Sequence, residues 1–201
     1  MSIKNVIFDV GDVLVSFRYM DYMRELGFDI ETAEFIRDNI ILTDFWKGLD
    51  AGREDIDDAA AKFSSLYPEF EHEIRSFWEN IADIVSEYDY SAPLIKKLKD
   101  RGYRVYLLSN YPDKLADMHW SQFSFLDMTD GYIISAKVKL AKPDPAIFHL
   151  LMDKYDLDIK ECLFIDDNKD NIEAANRLGL ANILFTGYDN MISDLREMKI
   201  M

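Results

Sequence analysis

The sequence predicts an α/β fold, a doubly wound parallel sheet with a small α-helical domain inserted near its start. Three observations carry this reading. Short apolar runs at Val6-Ile7-Phe8, Val105-Tyr106-Leu107-Leu108, Leu163-Phe164-Ile165 and Ile183-Leu184-Phe185 are continuous rather than alternating, the pattern of parallel strands covered on both faces. Helical segments with recognisable ends separate the later runs, and strands alternating with helices imply right-handed crossovers in one open sheet. The alternation lapses between about residues 17 and 87, where every segment reads as helix.

Taken in chain order, the first run ends on Asp9. In the insert, "AEFIRDNIIL" and "DDAAAKFSSL" are helical candidates joined by a turn at "LDAGRED". Phe70, Ile74, Phe77, Trp78, Ile81 and Val85 then form an apolar stripe at spacings of three and four, as one face of a helix requires. The core resumes near Tyr88. "SAPLIKKLKDRG" has Ser91 as an expected cap, Pro93 early and Gly102 as the stop. Tyr132-Ile133-Ile134 is a fifth strand candidate. "DPAIFHLLMDKY" places Asp144 at the N-cap and Pro145 at the first helical position, and "DNIEAANRLG" ends with Gly179 just past the helix. The expected division is a core domain of residues 1–16 and 88–201 and a helical domain of residues 17–87.

Composition narrows the function. The 201 residues are 49% hydrophobic and carry a formal charge of −15, with a pI near 4.5. Nucleic acid and anionic membranes are therefore unexpected partners, since both demand a Lys and Arg surplus. A small phosphorylated substrate remains compatible if a metal or local cations neutralise its pocket. The single cysteine, Cys162, sits in the apolar "CLFI" and reads as a small core hydrophobe, with a reducing cytoplasm the expected compartment. No apolar run approaches the roughly 20 residues of a membrane span, and Asp9 and Asp12 interrupt the stretch where a secretion signal would be apolar.

In an open parallel sheet, ligands bind beyond the carboxyl ends of the strands. The residues there are Asp9 after the first strand, Ser109 and Asn110 after the second run, and Asp166 and Asp167 after the third, with Lys142 in the "AKPDP" loop before a helix. Clustered carboxylates raise one another's pKa unless a cation lies among them. An oxygen-only ligand set favours Mg²⁺, which also bridges to phosphate. Ser109 and the Asn110 backbone would bind phosphate oxygens, Lys142 would oppose their charge, and Asp9 would attack phosphorus to give an aspartyl-phosphate.

In order, "FDVGDVLV", "VYLLSN", "KPDP" and "FIDDNKDNIEAANRLG" resemble the four motifs of the haloacid dehalogenase-like (HAD) hydrolase superfamily, nearest its bacterial sugar-phosphate and glucose-1-phosphate phosphatases. The resemblance implies a Rossmann-like core with a small cap domain after the first motif. It makes Asp9 the nucleophile and a metal ligand, Gly11 a ligand through its carbonyl, and Asp167 the main ligand of the fourth motif, with Asp166 direct or through water. Ser109 and Asn110 would hold the phosphoryl group, and Lys142 would pair with it and with Asp9. The family usually has an acid/base aspartate two residues after the nucleophile, and this chain has Gly11 there.

That departure favours esters whose leaving oxygen needs little protonation, so sugar 1-phosphates are expected to turn over faster than sugar 6-phosphates. Asp12 reads as a turn residue and Asn171 as a brace for the acidic loop. In the insert, Trp46 is a candidate substrate contact, with Arg18 and Arg53 behind it, and His72, His119 and His149 read as structural. The expected protein is a Mg²⁺-dependent phosphatase of a small phosphorylated metabolite, with a sugar phosphate the expected substrate, and a monomer or weak homodimer. The alternatives are a catalytically weak binding protein, which Gly11 favours, a dehalogenase, which the Asp166–Asp167 pair opposes, and a phosphomutase, which the missing proton carrier opposes.

Overall fold

The structure is a computed structural model that describes residues 2–201; Met1, the first residue of the expected core domain, lies outside the described residues. Five parallel strands form the main sheet in the order β5-β4-β1-β6-β7: β1 (Asn5–Phe8), β4 (Arg104–Ser109), β5 (Gly131–Ile134), β6 (Cys162–Asp166) and β7 (Ala181–Leu184). β1 lies at the centre, and its four residues are wholly buried.

The pleat sorts the apolar runs onto two cores. Val6 and Phe8, with Leu107 and Ile165, face one cluster, which also takes in Leu94, Ile95 and Leu98 of α6 (Ser91–Asp100) and Met191 and Leu195 of α11 (Tyr188–Glu197). Ile7, Leu108 and Phe164 face the other, against Ile147, Phe148 and Leu151 of α9 (Pro145–Tyr155) and Ala174 and Ala175 of α10 (Lys169–Arg177). A period of two therefore gives both layers from continuous apolar runs. Cys162 is fully buried in the second core, where loss of water pushes its thiol up to about 11.

Two of the helices that border the site begin on side-chain caps. Asp144 caps α9, accepting from the Ala146 amide at 2.9 Å, and Asn168 caps α10, accepting from the Asp170 amide at 2.8 Å. Ser91 is not a cap. It is the first residue of α6, and its hydroxyl donates to the Leu14 carbonyl at 2.6 Å, tying the helix to the chain after β1.

Between the first strand and Tyr88 the chain is not helical throughout. β2 (Val15–Phe17) and β3 (Val85–Glu87) pair antiparallel and bracket α1 (Tyr19–Glu25), α2 (Ile30–Ile36) with a π-helical turn at Arg37–Ile41, α3 (Asp44–Asp50), α4 (Ala59–Leu66) and α5 (Glu71–Glu79). Val85, the last residue of the expected stripe, is thus in a strand. Three-residue strands are too short to break a helical period in sequence, and their pairing partner lies about 70 residues away. The helices enclose an aromatic cluster in which Trp46 stacks on Trp78 at 6.0 Å and Tyr22 meets Phe77 at 5.6 Å. Among the described residues no helix is long and apolar enough to cross a membrane.

Candidate active site

Because β1 lies between β4 and β6, the residues at their carboxyl ends are neighbours. Ser109 and Asp166 are the last residues of their strands; Asp9, Asn110 and Asp167 come after. The loop before α9 delivers Lys142, whose side chain is fully buried and whose ammonium Nζ pairs with Asp9 Oδ1 at 2.9 Å and donates to Asp166 Oδ2 at 2.7 Å. Asn110 fixes that loop, accepting from the Lys142 amide at 2.8 Å and donating to its carbonyl at 2.9 Å. Asn171 donates to both oxygens of Asp166 at 3.0 Å, the bracing expected from its place in α10. The Asn168 amide completes the shell at 2.8 Å.

One oxygen from each of Asp9, Asp166 and Asp167 lies within 4.8 Å of the others. Burial raises the Asp9 carboxyl well above the usual range; Lys142 opposes the rise and Asp166 adds to it. Asp167 is pushed up to about 6, chiefly by loss of water and then by Asp166 and Asp12. Burial alone would lower Lys142, but Asp9 and Asp166 outweigh it and raise it. Excess negative charge concentrated on oxygen, with no His or Cys in the cluster, fits a hard divalent cation of the Mg²⁺ kind. The Ser109 hydroxyl is buried without a hydrogen-bond partner.

A cavity of about 440 Å³ opens from these strand ends toward the helical segment. Gly11, Asn110 and Asp167 lie on its walls, as does Trp46 of α3. A Cβ on Gly11 would meet nothing within 4 Å. Asp12 takes a left-handed conformation, φ 52°, and its carboxylate accepts from the Phe17 amide at 2.9 Å, fixing the turn into β2. The structure leaves Arg18 and Arg53 outside this cavity: Arg18 pairs with Glu25 and donates to the Asp83 carbonyl at 3.0 Å, and Arg53 is exposed. His72 and His149 are exposed. His119 is buried, within 2.6 Å of the Tyr111 hydroxyl and 2.8 Å of the Ala82 carbonyl.

Asp50 and Tyr111 were not apparent from the sequence as cavity residues. Burial pushes the Asp50 carboxyl up to about 7, with Lys142 opposing. The Ser135 hydroxyl donates to the Asp50 carbonyl and accepts from the Tyr111 amide at 2.9 Å, joining α3 to the core. The one signal was the turn that follows Asp50; nothing local shows which strand end it meets.

A family model described as haloacid dehalogenase-like hydrolase matches residues 3–179. The sesquiterpene phosphatase astK of Aspergillus oryzae is 24% identical, over 98% of this chain and 97% of its own length. A phosphoglycolate phosphatase of Aliivibrio fischeri is also 24% identical, over 90% of this chain and 74% of its own. A HAD family enzyme of Bacteroides thetaiotaomicron, solved in complex with magnesium and inorganic phosphate, superposes with a TM-score of 0.65 and 26% identity, covering 90% of this chain and 93% of that one. Asp9, Lys142, Asp166 and Asp167 all fall inside the matched span, and the chain belongs to the haloacid dehalogenase-like hydrolase family.

Proposed function

We propose that this hydrolase is a Mg²⁺-dependent phosphatase that cleaves a small phosphorylated metabolite through an aspartyl-phosphate on Asp9. The observation that carries the reading is the buried Lys142 ammonium shared between Asp9 and Asp166, with Asp167 beside them. A single nucleophilic carboxylate attacking carbon has no need of the second and third; a phosphoryl transfer, which must neutralise charge on both sides of the phosphorus, does. The magnesium- and phosphate-bound relative supports the same choice.

Asp9, Asp166, Asp167 and the Gly11 carbonyl would hold Mg²⁺, which when bound neutralises the phosphoryl oxygens. The Ser109 hydroxyl, buried without a partner, has a hydrogen bond free for a phosphate oxygen, and the Asn110 backbone lies next to it. Lys142 opposes the rise that burial imposes on Asp9 and holds its carboxylate in place. An Asp9 oxygen bonds to phosphorus, the ester P–O bond breaks, and the alcohol leaves with its electron pair and takes a proton from water. Water then attacks phosphorus, releasing inorganic phosphate and restoring the Asp9 carboxylate. Residues 17–87 act as the cap over this chemistry, with Trp46 facing the leaving group.

Gly11 provides no acid, and general acid–base help is worth roughly 10²–10⁴-fold. Esters with a good leaving oxygen are therefore favoured. A sugar 1-phosphate meets that demand, as does an aryl ester; a sugar 6-phosphate does not. The relatives are named for an apolar ester and for a doubly charged one, so their names do not choose between leaving groups. Acid quenching during turnover, followed by mass mapping, should find one phosphoryl group on the peptide that holds Asp9. Its appearance on another residue would reject this route.

A further inference from the structure

The wall of the cavity above the strand ends is apolar where it meets the helical segment. Phe17, Tyr19, Ile41, Leu42, Trp46 and Leu115 form it. Phe17 and Trp46 lie tilted at 5.3 Å and offer an aromatic platform. Leu42 is 61% exposed at this cavity, an apolar side chain left in water beside a binding space. Among the described residues that line the cavity none is Lys, Arg or His, whereas Asp12, Asp50 and Asp167 do. The one buried cation near it, Lys142, is already shared by two carboxylates.

Resting on the phosphatase reading of the same cavity, we propose that its wall selects phosphate monoesters of uncharged, apolar alcohols of the aryl or allylic kind, over sugar phosphates and over esters carrying a carboxylate or a second phosphate. A second anion would enter a space with three carboxylates and no cation to meet it. Sugar hydroxyls would lose water against Phe17, Ile41, Leu42 and Leu115 without replacement hydrogen bonds. Of the other polar side chains, Asp12 is engaged with the Phe17 amide, Asn110 with the Lys142 backbone and Tyr111 with His119. An apolar ring or prenyl chain has no such loss, and its burial is favourable in proportion to area. For the aryl esters Gly11 agrees independently, because an aryl oxygen leaves with little protonation.

Binding to an Asp9→Asn variant in the presence of Mg²⁺, measured by calorimetry with 1-naphthyl phosphate, farnesyl monophosphate, glucose 1-phosphate and phosphoglycolate, tests this without turnover. The two apolar esters should bind at least about tenfold more tightly than the others. Adding Leu42→Asp, at a position 61% exposed, should bring that ratio toward one. Glucose 1-phosphate or phosphoglycolate binding as tightly as the apolar esters overturns the proposal, even if the wild-type protein releases phosphate from them. If the wild-type protein releases phosphate from no ester while the variant keeps the binding order, the phosphatase reading fails and the apolar preference stands.

Discussion

Lys142 sets the electrostatics of the site because its ammonium is the only counter-charge within hydrogen-bond reach of Asp9 and Asp166 among the described residues. Burial is the chief reason that Asp9 and Asp167 are raised, and the excess of negative charge left by one cation among three carboxylates adds to it. A raised carboxyl keeps its proton to higher pH, so Mg²⁺ must displace that proton in order to bind. Mg²⁺ affinity is therefore full well above pH 6 and falls as pH drops through the Asp167 value of about 6, by about tenfold per pH unit for each proton displaced. Calorimetric titration at pH 5 and pH 7.5 checks this; an affinity unchanged between them would contradict it. Gly11 supplies a second prediction. Its Cβ position is open, so Gly11→Asp should fold and raise turnover of an alkyl phosphate by about tenfold or more, since an acid is worth roughly 10²–10⁴. A stopped assay with glucose 6-phosphate reads the gain. Asp9, Lys142 and Asp167 were legible because each follows a continuous apolar run or precedes a capped helix. The absence of Arg18 and Arg53 from the cavity was not legible, because a helix face is set by packing that sequence spacing alone does not fix.

At the scale of elements, the junction between α3 and the core determines the shape of the cavity. α3 ends at Asp50, and Gly52 follows with φ 65°. A Cβ at Gly52 would run into the Ala136 carbonyl of α8 (Ser135–Val138). Gly52→Ala therefore combines a strained backbone with a clash and should cost about 1–2 kcal/mol or more, read as a lower denaturation midpoint with unchanged slope. It should also weaken substrate binding, since the same turn carries Asp50 to the cavity. The sequence marks this turn through "LDAGRED" but not its partner: the contact runs from Asp50 to Ser135, 85 residues away. The β2–β3 pair escaped notice for a similar reason. Val15–Phe17 and Val85–Glu87 gain strand geometry from each other, across the whole insert, and each alone carries too few residues for a period. The long strands β1, β4 and β6 needed no such partner to be recognised, since burial on both faces imposes an unbroken apolar run.

For the whole molecule, one apolar cluster extends from Val6 and Phe8 of the central strand to Phe77 and Trp78 of the helical segment, so sheet and insert share a core and the cavity lies along their common edge. On the function proposed above, that arrangement would put phosphate chemistry at the sheet and leaving-group selection at the helices. The parallel sheet was legible from its apolar runs, whereas the apolar wall was not, because its residues come from β2, α1, α3, α7 (Asp113–His119) and the π-helical turn, with its neighbour Leu42, and meet only in the folded chain. The net charge of −15 adds that an anionic substrate must be neutralised locally, and the carboxylate cluster is where a divalent cation does so. The central claim is tested most directly by release of inorganic phosphate from a panel of esters, with Mg²⁺ and with chelator, for the wild-type protein and Asp9→Asn. The account predicts Mg²⁺-dependent release that falls at least about 10³-fold in the variant, the loss typical of a missing nucleophile. Release undiminished in Asp9→Asn, or release of halide from a haloacid without metal, would contradict it.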